Sequence, residues 1–380
     1  MPPLHTIRHG HTDILRRVGP PVTMPQAGND PWGMDTVNRH HDESSLRHTE
    51  AYYHLVLERM TPRATPPFES VEMQERVWGR RWGVENDVGR LRLCVLHRPG
   101  DEMRAIDPTG RYDPTIGAYI DEDEQWYWRD SMPPDLIRMQ AEHDALAAAL
   151  RAEGVDVVYV DCPPRDPHAV FTRDMAVAVK GGAVVCRLGL VGRHPDSGRR
   201  GEERYITRLL AELGMPILHT IHGSGLLEGG SVCWLNSSTV AVGMSYRQNE
   251  AGVRQLEAVL AEQGVRVIRV PLPGYALHLD GACVMVDYDK ALINVTRLPY
   301  WFLDTLREFG ISPIHVWPTE PQAVNCLAVR PGRVIMPAGC PRTRERLTAA
   351  GIETIEVPYD EILKNGGGIH CSTLPLIRDP

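Results

Sequence analysis

Five times along the chain a helical stretch gives way to a glycine and then to a short apolar run: LRAEGVDVVYV, LAELGMPILHT, LAEQGVRVIRV, LREFGISPIHV and LTAAGIETIEV. The glycines are Gly154, Gly214, Gly264, Gly310 and Gly351. Each stands where a helix C-terminus takes a residue with positive φ. Helical spacing puts Val253, Leu256, Val259 and Leu260 on one face over 249–263, and Tyr205, Leu209, Leu210 and Leu213 on one face over 203–213. Such faces pack on a sheet. Each apolar run then leads through a short polar segment into a hairpin pattern: MAVAVKGGAVVCRL, SVCWLNSSTVAVGM, ACVMVDYDKALINV and CLAVRPGRVIMPAG. Their turn residues, among them Lys180-Gly181-Gly182 and Pro331-Gly332, suit tight reversals. The fifth unit keeps only one strand, STLPLIRDP, and the early strand RLRLCVLHRPG at 90–100 is free to be its partner.

This recurrence predicts an α/β fold of five modules of roughly 45–60 residues, closed into a ring by N- and C-terminal strands. An ordinary alternating α/β sheet is the competing reading. Residues 1–82 are rich in His and Pro and weakly periodic, with a helix expected near 46–60. They read as an irregular N-terminal extension to a main domain at 83–380.

Composition narrows the class. Hydrophobic residues make up 42% and charged residues 24% of the 380 positions, which excludes disordered, collagen-like and membrane-spanning chains. Lys plus Arg is 41 and Asp plus Glu is 49, a net charge of −8 with no basic block. Nucleic acid is therefore not an expected partner, whereas a small cation is a suitable one. No two of the eight cysteines have CxxC spacing, which argues against a zinc ribbon or a thioredoxin-like site. The start MPPLHTIRHGHTD lacks an apolar signal core, and no apolar run approaches the roughly 20 residues that span a bilayer. The expectation is a cytoplasmic protein with reduced thiols and no membrane partner. Cys94, Cys186, Cys233 and Cys283, inside apolar strands, are expected to be inert core.

The polar segments between strand and hairpin carry the chemistry. They read VFTRD (170–174), LEGGS (227–231), LHLDG (277–281), AVNC (323–326) and GGGIHC (366–371). In a pseudo-fivefold ring, equivalent positions point to the common axis, so Asp174, Glu228, His278, Asp280 and Cys371 are expected to meet in one pocket. Three carboxylates favour a guanidinium, which is planar, always charged and bound by carboxylates in bidentate fashion. Asp174 and Glu228 are expected to hold its N–H edges. Its carbon is a poor electrophile, which suits a thiolate nucleophile, Cys371. His278 protonates the departing amine and then activates the incoming nucleophile. Asp280, two residues on, shares its face in an extended stretch. Gly366 to Gly368 remove side chains where backbone approaches the ligand. The scheme needs no cofactor and no metal.

Other motifs are weaker. IRHGHT at 7–12 resembles the RHG signature of histidine phosphatases, with His9 as phosphoryl acceptor, but it lacks the buried strand such a site needs. His219 and His222 in LHTIHG have metal-like spacing without a third ligand, and GGG at 366–368 without a following Lys-Ser/Thr is not a P-loop.

FTRD, EGG, HLD and GGGxHC, in this order over about residues 85–380, resemble the guanidino-group-modifying superfamily of arginine deiminases, dimethylarginine dimethylaminohydrolases and amidinotransferases. The resemblance implies the pentein fold, a five-module α/β propeller of ββαβ units. It implies Cys371 as nucleophile, His278 as acid and base, and Asp174, Glu228 and Asp280 as guanidinium-binding or orienting carboxylates. Arg247 and Arg187 are implied to bind a substrate carboxylate, with Phe171 of the FTRD motif as a further substrate contact. Ser231 departs from the EGGD that arginine deiminases commonly carry, a difference that bears on substrate or rate. Residues 1–82 match no part of the family pattern, and the long helical insert of many arginine deiminases is absent. The leading expectation is a cysteine hydrolase of arginine or a derivative, and the alternative is an amidinotransferase. A non-catalytic relative, like the ribosome anti-association initiation factor, would need none of the Cys–His–carboxylate set. Homo-oligomerisation is left open.

Overall fold

The computed structural model describes residues 50–60, 64–121, 127–161, 166–189, 199–274 and 276–380. The RHG-like motif at 7–12 and Cys162 lie outside them. The chain divides into two compact units between Thr65 and Pro66, earlier than the expected boundary after residue 82. The described part of the first unit is a helix, Glu50–Arg59. The second opens with a helix over Val71–Trp78, whose cap Ser70 accepts from the Met73 N–H. Trp82, just after it, is buried in the same apolar cluster as Val179 and Val185.

Among the described residues five three-stranded sheets follow, with one pairing pattern: four share one connectivity and the fifth is closed by the chain ends. A middle strand pairs antiparallel with the strand before it and parallel with a strand that arrives after a helix. In the second sheet Ala176–Val179 pairs antiparallel with Gly182–Val185, and Gly182–Val185 pairs parallel with Ile217–Thr220 after the helix Glu202–Leu213. The same pattern joins Val232–Asn236, Thr239–Met244 and Arg266–Pro271; Cys283–Asp287, Lys290–Ile293 and Ser312–His315; and Leu327–Arg330, Arg333–Pro337 and Glu353–Val357. The remaining sheet is made by the chain ends. Leu91–Leu96 pairs parallel with Asp156–Tyr159 and antiparallel with Leu374–Arg378, the last strand. The strand at 90–100 therefore partners the unpaired strand of the fifth unit, as its sequence suggested.

The five glycines end their helices at φ of 81°, 77°, 69°, 73° and 82° in chain order. A Cβ added at any of them would meet nothing within 4 Å. Backbone conformation, rather than crowding, makes glycine the fitting residue there. The helix faces pack as periodicity predicts. Val253, Leu256 and Leu260 are buried with Val259 beside them. In Glu202–Leu213 the most buried positions are Ile206 and Leu210, with Tyr205, Leu209 and Leu213 at the margin. The predicted face is rotated slightly toward Ile206. Cys94, Cys186, Cys233 and Cys283 are buried free thiols. No helix among the described residues is long and apolar enough to cross a membrane.

Between the first strand and the helix Leu136–Ala152 an excursion forms a short hairpin, Tyr119–Ile120 with Tyr127–Trp128. Trp128 is fully buried and donates its indole N–H to the Met132 carbonyl, while the Arg129 amide donates to Lys364 O at 3.0 Å. These bonds fix Tyr127 and Arg129 beside the 366–371 turn.

Candidate active site

Four of the five polar segments fold as 3-10 turns just ahead of a strand: Thr172–Met175, Gly229–Ser231, Leu279–Gly281 and Pro321–Val324. The fifth, 366–371, turns into the last strand. Asp174, His278 and Cys371 line a single cavity of about 670 Å³, with Phe171 and Arg247. Cys371 and His278 also border an adjoining space of about 240 Å³, which Asp280 lines. Cys371 thus stands where two arms of one cleft meet.

The sulfur is tightly held. Cys371 Sγ donates to Asp280 Oδ2 at 3.2 Å and accepts from Asn325 Nδ2 at 3.1 Å, and the Cys371 amide donates to Asn325 Oδ1 at 3.1 Å. Burial, reinforced by Asp280 and Asp174, pushes the thiol well above its ordinary pKa. Without ligand it is a neutral thiol. Asp280 Oδ2 also accepts from His370 Nδ1 at 2.9 Å. Burial and the Arg173 guanidinium hold His370 below its usual pKa, so this ring is neutral.

His278 is in the opposite condition. Its Nε2 donates to Glu228 Oε2 at 2.6 Å, and its Nδ1 lies 3.6 Å from Asp174 Oδ1. Burial disfavours the charge, but Asp174, the Glu228 hydrogen bond and Asp280 outweigh it and raise its pKa to about 9. At neutral pH the ring is an imidazolium. Glu228 Oε1 accepts from Arg247 Nη1 at 3.2 Å and from the Gly189 amide at 2.9 Å. Although Glu228 is fully buried, Arg247 and His278 bring its pKa down to about 2.

The expected grip of Glu228 on a guanidinium needs correction. Glu228 is 0% exposed and lines neither arm, and both its oxygens are taken up by Arg247, Gly189 and His278. Asp174 and Asp280 are the carboxylates that face the cleft. Arg187 is likewise outside it. An isolated bridge pairs Arg187 with Leu227, and its guanidinium donates to Gly225 O at 3.1 Å. Arg247 does line the larger arm, and so does Phe171. Ser231 is fully buried, and its hydroxyl has no hydrogen-bond partner among the described residues. His219 bonds Gln255 at 2.9 Å with its ring 5.3 Å from His222, away from the cleft.

Three residues of the site were not singled out from sequence. Asn325, which positions Cys371, comes from the fourth polar segment, AVNC, so its equivalence to the other four was the available signal. Arg199 is buried in the larger arm; it donates to Asp174, to both oxygens of Glu202 at 2.8 Å and to Phe171 O at 2.7 Å. His370 precedes the cysteine in GGGIHC. The glycines of these segments make room for side chains more than for ligand. A Cβ on Gly230 would come within 3.0 Å of His278 Nδ1, and one on Gly367 within 2.5 Å of Phe171 Cε1.

Asp174, Glu228 and His278 offer ligand atoms within 4.8 Å of one another, the spacing of a metal site. Each carboxylate, however, already accepts from a guanidinium and a backbone amide, and the imidazole is protonated. The three groups form an ion-paired network.

The arginine deiminase family model matches residues 164–297 and 319–378. The chain is 30% identical over 241 residues to the N(G),N(G)-dimethylarginine dimethylaminohydrolase of Pseudomonas aeruginosa, covering 63% of this chain and 89% of that one. It is 24% identical over 417 residues to an arginine deiminase of Rhodococcus erythropolis, covering 78% and 98%. A solved structure of the Pseudomonas aeruginosa enzyme in complex with citrulline superposes with a TM-score of 0.59 at 25% identity, over 76% of this chain and all of that one.

Proposed function

The chain belongs to the arginine deiminase family, enzymes that act on guanidino groups, and from that premise we propose that it is a cysteine-dependent hydrolase of arginine or an arginine derivative. The observation that carries the reading is the meeting of Cys371, a protonated His278 and two cleft-lining carboxylates in one cavity. We also propose that the five like sheets surround a common pseudo-fivefold axis, the five-module propeller, with the cleft at its centre. The described residues that line both arms run from Ile116 onward. Catalysis is accordingly assigned to the compact unit that begins at Pro66.

In this mechanism Asp174 and Asp280 take the N–H edges of the guanidinium, and Arg247 is the candidate partner of a substrate carboxylate. The cationic substrate beside Cys371 offsets the two carboxylates that hold the thiol protonated, so the thiolate becomes accessible. Asp280 Oδ2, already the acceptor of the S–H, is the first stop for its proton. The thiolate attacks the guanidinium carbon. His278 donates its proton to the departing amine, a contribution of about 10²–10⁴ in rate for a well-placed acid. The neutral imidazole then takes one proton from the water that attacks the thiouronium carbon. The S–C bond breaks, and its electron pair returns to Cys371. The proton held by Asp280 restores the thiol, and the second water proton leaves with the amine as its ammonium ion. Glu228 acts through His278: it orients the ring and sustains its charge. The amidinotransferase alternative shares the adduct and differs in passing its carbon to an amine.

Arginine alone is expected to give citrulline and ammonia catalytically, or a methylated arginine citrulline and the methylated amine. Cys371→Ser is expected to bind substrate without turnover. Full activity of that variant would remove the covalent mechanism.

A further inference from the structure

In the proposed mechanism Asp280 has two tasks: it meets the guanidinium in the smaller arm, and it accepts the S–H of Cys371. Both require a fixed orientation and a charge that stays in place. His370 supplies the two together. Its Nδ1 lies 2.9 Å from Asp280 Oδ2, and the sulfur of the next residue lies 3.2 Å from the same oxygen. An ionised carboxylate only accepts, so Nδ1 carries the proton and is the donor. Oδ1 has no hydrogen-bond donor among the described residues, which leaves it for the arm that Asp280 lines. His370 itself borders neither arm and is 6% exposed, so it reaches a ligand only through Asp280. Its backbone is anchored: the amide donates to Asn325 O at 3.2 Å, and the carbonyl accepts from Arg173 Nε at 3.4 Å and from the Thr373 hydroxyl at 3.0 Å. Burial and Arg173 keep the ring neutral. A neutral donor steadies the carboxylate and leaves its charge for the guanidinium, whereas an imidazolium would cancel it.

We propose that His370 is a positioning residue, whose Nδ1–H pins Oδ2 of Asp280 to the 366–371 turn, leaves Oδ1 directed at the guanidinium and weakens the hold of Oδ2 on the Cys371 proton. The inference rests on the reading above and adds a residue to it. His370 keeps its own proton throughout: the proton leaving Sγ goes to Oδ2 and returns to sulfur when the S–C bond breaks. Burial pushes Asp280 up, but the His370 bond leads the contacts that hold it below the usual carboxylate range. The other groups that act on Asp280 are His278 and the Cys371 thiol. Arg173 and Asp87 act on His370, Asp174 acts on the thiol, and Arg297 shares the arm.

Two substitutions separate the hydrogen bond from packing. His370→Leu keeps the bulk and removes the donor. His370→Asn loses bulk but keeps an N–H donor the same number of bonds from Cβ as Nδ1. The first readout needs no guanidine: iodoacetamide alkylates the full-length protein at one mildly alkaline pH, and the mass of the Cys371 peptide gives the rate. Without the His370 bond, Oδ2 holds the thiol proton more firmly. His370→Leu is therefore expected to react about tenfold more slowly than wild type, and His370→Asn at close to the wild-type rate. The second readout is the acid limb of kcat/KM on arginine, which marks the ionised Asp280 of the free enzyme. It is expected about one pH unit higher in His370→Leu and back near its wild-type place in His370→Asn. His370→Ala, which removes both bulk and donor, is expected to follow His370→Leu in both. A side chain that only fills space gives the opposite order, with His370→Leu nearest wild type, and that order overturns the inference. So does an alkylation rate that His370→Leu and His370→Ala leave unmoved; intact turnover then leaves the hydrolase standing. The expected order of alkylation rates in a protein that turns over no guanidine supports the hold on Asp280 and removes the hydrolase reading instead.

Discussion

Glu228 and Asp280 are both buried carboxylates bonded to a histidine, yet the two histidines are in different charge states. His278 is surrounded by the field of Asp174, Glu228 and Asp280 and is protonated up to about pH 9. His370 shares Asp280, but burial and then the Arg173 charge hold its pKa down, and it stays neutral. Opposite charge environments around chemically equal groups give the site the acid that the proposed mechanism needs beside its nucleophile. Because the folded pKa of His278 is raised from 6.5 to about 9, its charge contributes stability that is complete below about pH 6.5 and is lost as pH rises through about 9. Activity limited by the acid should fall across the same alkaline range. Glu228→Gln removes one of the charges that sustain the imidazolium. Breaking a buried pair costs about 3–5 kcal/mol of stability, and impairing the acid that the pair sustains is expected to lower activity by about 10²–10³. The alkaline limb of the rate profile should also move to lower pH, a shift that a merely structural defect would not produce. A variant within threefold of wild type, with an unmoved limb, would show that Glu228 has no hold on the chemistry.

At the scale of elements, most of the pattern was legible because it is local. A helix C-terminus needs a left-handed residue, and all five helix–glycine–strand junctions have one. Gly264→Ala should therefore cost about 1 kcal/mol from backbone strain alone, since its Cβ would be unobstructed, and Gly264→Asn should cost less. Urea unfolding of the three proteins measures this, and an alanine variant as stable as wild type would contradict it. What was not legible is the direction of side chains within the 3-10 turns. Glu228 and His278 hold the same place, just ahead of the turns in LEGGS and LHLDG, but Glu228 turns into the protein while His278 faces the cleft. That choice depends on Arg247 and on the Gly189 amide, which come from other segments. Arg187 missed the cleft for a similar reason, because its bridge to Leu227 commits its backbone.

At the scale of the whole molecule, the joining of the chain ends was readable from one unpaired strand. Leu374–Arg378 had no hairpin partner nearby, and an apolar strand with one free edge must be covered. It pairs with Leu91–Leu96, and Arg378 ties the closure by donating to Gly89 O and Ala328 O at 2.8 Å each. The excursion that carries Tyr127 and Arg129 was not readable, because its place at the cleft follows from burial of Trp128 and from bonds to Lys364 far along the chain. In the proposed mechanism this assembly brings Cys371 to a guanidinium carbon as a nucleophile. The most direct measurement is to quench the wild-type enzyme during turnover of arginine and weigh the peptide that contains Cys371. A thiouronium adduct is expected on that peptide, absent from Cys371→Ser and lost on chase without substrate. Turnover with Cys371 unmodified at every quench time, and undiminished in Cys371→Ser, would contradict it.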